Sequence, residues 1–230
     1  MPFNAVSDIT RSIAPHYIPF RPPRARVRSL SLALVLASQF SATKTSSMSD
    51  TRRFKATDLF EFNNINLDSL TETFNISFYL SYMSRWPNLC VMVNEDRQTP
   101  DHPSPMGYIM GKSEGKDKDW HTHVTAITVA PSCRQLGIAR KLMDYLERAG
   151  DADKAYFVDL FVRPSNLLAV NMYKRLGYSV YRRVLGYYSN PHGPDEDSFD
   201  MRKALSRDVN QQSIRKNGEQ FTCKPEDTMF

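Results

Sequence analysis

Residues 132–142 read SCRQLGIARKL and follow the strand-like stretch HVTAITVAP. Arg134, Gly137 and Ala139 put a cation, a residue without a Cβ and a slim residue at the mouth of a helical pattern. A helix start exposes backbone N–H groups that have no intrahelical acceptor, and the aligned peptide dipoles add positive density there. Gly137 lets a ligand come close to the backbone, Ala139 keeps the first turn thin, and Arg134 adds a full charge. The turn 134–139, with Gln135 and Ile138 inside it, is therefore an anion seat suited to a pyrophosphate. The competing reading is an ordinary strand-to-helix connection with a surface arginine. No Gly-Lys-Ser/Thr follows, so the turn is not a P-loop, and it is not the G-x-G-x-x-G turn of dinucleotide folds.

The elements that must position this turn can be read from periodicity. A short strand is predicted over 53–56, then a helix capped by Thr57 or Asp58 and carrying Leu59, Phe60 and Phe62. A second helix fits 76–86, with Phe78, Leu80, Tyr82, Met83 and Trp86 as its apolar face, and Pro87 stops it. LCVMVNE (89–95) and MGYIMGKSEG (106–115) make a hairpin around the Pro-rich loop 96–105. HTHVTAITVA (121–130) alternates His121, His123, Thr125, Ile127 and Val129 on one face with Thr122, Val124, Ala126 and Thr128 on the other. Ile138, Leu142, Met143, Tyr145, Leu146 and Ala149 mark a helix face, and KAYFVDLFVR (154–163) is a buried strand. The next helix has Ser165 as its N-cap, Leu168, Met172 and Leu176 in register, and Gly177 at its C-terminal end. Strands over 179–189 and 198–205 complete a mixed α/β domain, antiparallel in its first half and βα-alternating in its second.

Composition bounds the rest. The chain has 230 residues, 41% of them hydrophobic, which suffices for one domain with a real core plus tails. Of the 30 Lys and Arg, six lie in residues 1–47 against one of the 25 acids, which leaves 24 of each sign beyond. The net charge of +5 is thus a property of the leader and no sign of nucleic-acid binding by the folded part. Residues 1–47 fit three readings: an organelle-targeting peptide, a degenerate secretory signal, or sequence from an upstream start. SLSLALVLA (30–38) is too short to span a bilayer and begins too far in for a signal, and Met48-Ser-Asp makes a natural start, so the upstream-start reading fits best. Three cysteines at unrelated spacings (Cys90, Cys133, Cys223) make no disulfide framework or zinc pattern and suit a reducing, cytoplasmic compartment. The expected division is a leader at 1–47, one domain at 48–205 and a polar, disordered tail at 206–230.

RQLGIA (134–139) resembles the Q/R-x-x-G-x-G/A acyl-CoA motif of the GNAT acetyltransferases. FNNINLDSLTETF, GYIMGKSEG, WHTHVTAITVAP, FVDLFVRPSN, AVNMYKRLGYSVYRRV and PDEDSFDMRKALSRD extend the likeness, over roughly residues 50–208, to the catalytic subunits of NatB-type N-terminal acetyltransferases. The resemblance implies a GNAT fold: a central mixed, mostly antiparallel, splayed sheet flanked by helices, with acetyl-CoA wedged where the fourth and fifth strands part. It implies acetyl transfer to the α-amine of proteins starting Met-Asp, Met-Glu, Met-Asn or Met-Gln, without a metal. It also implies a large helical-repeat auxiliary subunit that holds the enzyme at the ribosome over nascent N-termini, with no direct nucleic-acid contact and no membrane.

The same resemblance assigns roles. The Val129 N–H would polarise the thioester carbonyl, since parted strands leave it without a ladder partner. Tyr173 would be the general acid for the departing thiolate, although a tyrosine beside a helical core stripe more often packs. Asn166 would touch CoA, although alone it reads as a cap. His123, with Thr125 beside it, would donate to the substrate's second side chain, and a water relayed by His123 or a wall tyrosine would take the amine proton. A lone strand histidine is more often a satisfied polar group, and His121 lacks the third ligand a zinc pair would need. Glu72 and Phe74 would grip the peptide against an opposite wall of Tyr187 and Tyr188. Three positions depart from the pattern: Gln135 where a second Arg is common, Pro164 before the CoA helix, and Gly186 where a Glu often precedes the tyrosines. A GNAT enzyme for lysine or a small amine, and a silent CoA-binding subunit, are the alternatives. The TETF loop and tyrosine wall oppose the first, and Tyr173 with an intact Gly137 and Ala139 opposes the second.

Overall fold

The computed structural model describes residues 49–68, 71–95, 104–190 and 193–228. The expectation for residues 1–47 and most of the loop 96–105 lie outside them. Eight strands form one sheet: β1 (Ser49–Arg53), β2 (Cys90–Glu95), β3 (Pro105–Glu114), β4 (His121–Val129), β5 (Phe157–Val162), β6 (Ser179–Tyr188), β7 (Glu196–Ala204) and β8 (Thr222–Cys223). Their order is β1-β2-β3-β4-β5-β7-β6-β8. β4–β5 and β6–β8 run parallel and the other pairs antiparallel, so the sheet is mixed and mostly antiparallel.

The helices divide between the two faces because each strand alternates apolar side chains. Val91, Val93, Ile109, Val158 and Leu160 meet α3 (Ile138–Ala152) and α4 (Leu167–Arg175), through Leu142, Met143, Leu146, Val170 and Tyr173. Met92, Tyr108 and Met110, from the opposite face, meet α1 (Asn63–Asn66) and α2 (Ile76–Arg85) through Phe62, Ile65 and Tyr79. The expected face of α3 holds, with Tyr145 and Ala149 partly buried at its rim.

The local departures have physical causes. The segment after Asp58 forms a 3-10 turn (Ala56–Phe60) rather than a helix, with the Asp58 carboxylate accepting from Arg52 and from the Lys55 N–H. β1 begins earlier than expected because it pairs with β2 from Ser49 onward. In α2 the buried residue is Tyr79, while Leu80 faces solvent. Asn66 Nδ2 donates to the Tyr79 hydroxyl at 3.0 Å, the Phe74 N–H donates to it at 3.2 Å, and the Tyr108 hydroxyl donates to Asn66 Oδ1 at 3.0 Å. Tyr79→Phe is expected to cost about 1–3 kcal/mol, read by chemical denaturation, because it strands two buried donors. No measurable loss would mean that this network does not hold the 71–74 segment.

Residues 206–228 depart most from expectation: they are built into the fold rather than forming a disordered tail. Asp208 accepts from the N–H groups of Gln212 and Ser213 and from the Ser213 hydroxyl, which ties one turn. The Arg215 guanidinium lies 3.7 Å from the Tyr181 ring centre, and Arg202 lies 3.6 Å from it. Thr222 and Cys223 then add β8 to β6. Composition reads this segment as solvated, and specific polar pairs order it.

Candidate active site

β4 and β5 pair only from His121↔Phe157 to Val124↔Leu160. Beyond that point β5 keeps only β7, its other neighbour along the whole strand, and β4 continues on β3 alone. The break coincides with a bulge: Met110 pairs with Ala126 and Gly111 with Val124, which leaves Thr125 as the extra residue. The bulge also corrects the expected faces. Val124, Ile127 and Val129 belong with the α3 side, whereas His123 and Thr125 turn to the α2 side, so Val129 does not share their face.

The ladder fixes where the Val129 N–H points. Val129 lies opposite Gly107, and the Ala130 N–H donates to Met106 O at 2.8 Å. In an antiparallel ladder that pattern turns the Val129 N–H away from β3, toward the side β5 has left. Tyr173, on α4, belongs to the same apolar cluster as Val129. It is a core residue, 7% exposed, rather than one step past a core position as its spacing suggested. A Schellman end holds it there: the Tyr178 N–H donates to Tyr173 O and the Gly177 N–H to Lys174 O, with Gly177 at φ 94°. Its hydroxyl makes no hydrogen bond to the described residues. Burial, with a smaller push from nearby Tyr188, raises the phenol above its ordinary pKa, so it stays protonated at neutral pH.

The turn before α3 has the geometry of a seat. Gly137 is the N-cap residue at φ 82°, with Gln135 at φ 64°, and no side chain caps the helix. Lys141 is bonded back to Gly137, which leaves the N–H groups of Ile138, Ala139 and Arg140 ahead of the first intrahelical bond. A Cβ on Gly137 would meet nothing within 4 Å, so the space over the turn is open. The Ile138 side chain is in the core, which leaves its backbone as the contributing group. Arg134 is engaged with the Asp68 carboxylate. These residues fit a diphosphate. Asn166, not Ser165, caps α4, accepting from the Ala169 N–H at 3.1 Å, while the Ser165 hydroxyl donates to Glu196. Leu168 is exposed and Val170 takes the buried position.

Two walls line the α2 side. Phe74 stacks on Phe78 at 4.2 Å, Phe78 meets Tyr82 at 4.6 Å, and Tyr82 meets Trp86 at 5.1 Å, an aromatic stripe along α2. Thr71 bonds Thr128, Thr73 bonds Asn66 O, and Thr125 donates to the Tyr82 hydroxyl, so the segment holding exposed Glu72 is pinned to β4 and α1. The opposite wall comes from a break in β6, where Val184 pairs with Ser198 but Tyr188 with Glu196. Gly186 stands in that break at φ 60°, a conformation glycine adopts without strain, and donates its N–H to Asp197. Tyr187 lies 4.8 Å from Phe161, and Tyr188 lies under the Arg163 guanidinium at 4.0 Å. Burial pushes the Tyr188 phenol up to about 12, and Glu72 is near enough to add to the rise at both tyrosines.

His123 and His121 are backed by two carboxylates, Asp159 and Glu114. His123 Nδ1 is 2.9 Å from Asp159 Oδ1, and His121 Nε2 is 3.6 Å from Asp159 and 3.7 Å from Glu114. The signal was available: an aspartate in the middle of the apolar run FVDLFV. Among the described residues no group of three His, Cys, Asp or Glu is arranged to hold a metal, and no helix is long and apolar enough to cross a membrane.

Comparison with known proteins gives the chain its relatives. The Acetyltransferase (GNAT) family model matches residues 59–178. Over 183 residues the chain is 70% identical to the N-terminal acetyltransferase B complex catalytic subunit naa20 of Schizosaccharomyces pombe, covering 80% of this chain and 100% of that protein. It is 54% identical over 168 residues to N-alpha-acetyltransferase 20 of Dictyostelium discoideum, covering 73% and 92%. Among solved structures, Naa20 of Chaetomium thermophilum in complex with a bisubstrate analogue superposes with a TM-score of 0.71 at 43% identity, over 77% of this chain and 97% of that one. A NatB acetyltransferase complex bound to a bisubstrate inhibitor gives 0.67 at 40% identity, over 79% and 99%.

Proposed function

The chain belongs to the acetyltransferase (GNAT) family and, within it, to the catalytic subunits of N-terminal acetyltransferase B, and from this we propose that it acetylates proteins beginning Met-Asp, Met-Glu, Met-Asn or Met-Gln. The observation that carries the reading is the parting of β4 and β5, which leaves the Val129 N–H beside a cleft that Tyr173 and the Gly137 turn also border.

When bound, acetyl-CoA supplies an activated thioester carbonyl. Its diphosphate would be held by the turn 135–137 and the N–H groups of Ile138, Ala139 and Arg140 that open α3, with Asn166 at the start of α4 as a further contact. The Val129 N–H donates to the thioester oxygen as negative charge gathers there, a contribution of about 3 kcal/mol for a preorganised donor. The new bond joins the amine nitrogen to the acetyl carbon, the carbon–sulfur bond breaks, Tyr173 gives its proton to the departing sulfur, and water returns a proton to the phenolate. The amine has an ordinary pKa near 8 and is partly neutral already, so its proton leaves to water. Phe74 and the aromatic stripe of α2 take the methionine side chain, Glu72 stands near the amine, and Tyr187 and Tyr188 close the groove. His123, with Thr125 beside it, reads the second residue.

The chain works in this reading with an auxiliary subunit, a large helical-repeat protein that holds it over nascent chains at the ribosome in the cytoplasm. Exposed apolar side chains around α1 and α2 support a partner there: Phe60 is 83% exposed, Leu67 81% and Ile76 65%. The test is acetyl transfer by the complex to peptides beginning Met-Asp, Met-Ser and Ser-Glu. Met-Asp is expected to react at least about 10-fold faster than the others, a discrimination of about 1.4 kcal/mol. Equal rates, or acetylation of an internal lysine, would overturn the assignment.

A further inference from the structure

Asp159 is fully buried in β5. Burial alone would raise its pKa, but the charge and hydrogen bond of His123, then the charges of His121 and Arg202, hold it below the ordinary carboxylate range. An ionised carboxylate only accepts, so His123 Nδ1 carries a hydrogen toward Asp159 in either charge state of the ring. The remaining variable is Nε2, on the other edge of an imidazole whose side chain is 11% exposed. Neutral His123 offers a lone pair there, and protonated His123 offers a donor.

We infer that Asp159 is a positioning residue that makes His123 read the charge of the substrate's second side chain, the protonated ring selecting Asp and Glu and the neutral ring accepting Asn and Gln alone. This rests on the substrate class proposed above. A carboxylate needs a donor at Nε2 and meets only lone-pair repulsion once the ring is neutral. A carboxamide can turn its oxygen to an N–H or its NH2 to a lone pair, so it keeps a partner in both states. With acidic substrates bound, His123 already holds its proton and cannot be the base for the amine, which agrees with release of that proton to water.

The groups facing His123 are few. On β4 they are His121 and Thr125, on β3 Lys112 (in register with His123) and Glu114, and on β5 Asp159 and Phe161, with Arg202 of β7 in register with Asp159. Tyr187 of β6, Tyr82 of α2 and Glu72 stand across the groove. Of the side-chain types named, imidazole is the one that ordinarily changes charge near neutral pH. His121 is sealed from the groove, fully buried and stacked on Phe157 at 4.7 Å.

The experiment measures kcat/KM for Met-Asp and Met-Asn peptides of otherwise identical sequence, with the chain and its auxiliary subunit together, from pH 5.5 to 8.5. The shared α-amine largely cancels in the ratio, and the slight rise an acidic neighbour gives its pKa works in the opposite direction to the effect sought. The Met-Asp to Met-Asn ratio is expected to fall about 10-fold or more as pH rises, as one charge-assisted partner is lost. Asp159→Asn keeps an acceptor for Nδ1–H but removes the charge, so it should lower the ratio at neutral pH and move its fall to lower pH. His123→Gln should make the ratio independent of pH. A flat ratio in the unaltered enzyme overturns the inference even if Asp159→Asn does not fold, as does a folded Asp159→Asn with an unchanged curve. If neither peptide is acetylated while other termini are, the substrate class fails instead, and this inference with it.

Discussion

Tyr173→Phe is expected to lower kcat by about 10²- to 10³-fold while leaving KM for both substrates nearly unchanged, the range for losing a positioned general acid. The ring is core, packed against Tyr178 at a centroid distance of 6.0 Å, so phenylalanine preserves its packing. What is lost is one hydroxyl that makes no hydrogen bond to the described residues, so its removal strands nothing. The raised pKa keeps the phenol protonated at any pH the enzyme meets but also makes it a weaker acid, so its proton moves only as the carbon–sulfur bond breaks and charge gathers on the sulfur. Steady-state kinetics on the complex, with a thermal melt as control, decides the matter. A loss smaller than about 10-fold, with folding intact, would return Tyr173 to a packing role.

Gly137→Val is expected to weaken CoA binding by about 100-fold, read by calorimetry on the complex. Two costs combine. A non-glycine residue at φ 82° is strained, by about 1–2 kcal/mol for an ordinary side chain and more for a β-branched one. The added methyl groups also enter the open space over the turn, the proposed seat of the diphosphate. Arg134→Ala should have a smaller effect on the same measurement, because that guanidinium is already paired with Asp68. If the valine variant bound CoA as tightly as the unaltered chain, the seat would lie elsewhere.

Particular residues mark how far the sequence could be read. The RQLGIA turn announced itself because a helix start and a glycine are local features, and the 3.6-residue period of α3 made its buried face legible. The β4 alternation misled at one point. Period-2 reading assumes an unbroken ladder, and the extra residue at Thr125 moves Val129 to the face opposite His123. Asn166 and Ser165 exchanged capping roles because Glu196, thirty-one residues on, takes the serine. In α2, Tyr79 displaced Leu80 from the core because a hydroxyl network with Asn66 and Tyr108 waits for it. Asp159 was visible as an acid in an apolar strand, but nothing in the chain told which residue it faces.

The order of the main strands and helices from β2 to β7, the glycine turn that opens α3 and the enzyme family were legible in the sequence itself, since local periodicity, a helix start and long family-specific segments are properties of neighbouring residues. The tertiary structure alone decided the distant pairings: His123 with Asp159, Arg134 with Asp68, and the C-terminal segment with β6. The physical reason is that these depend on where a bulge turns a strand and where two parallel strands stop pairing. Hydrogen bonds between residues far apart in the chain fix those events, and they leave no repeat in the sequence from which to read them.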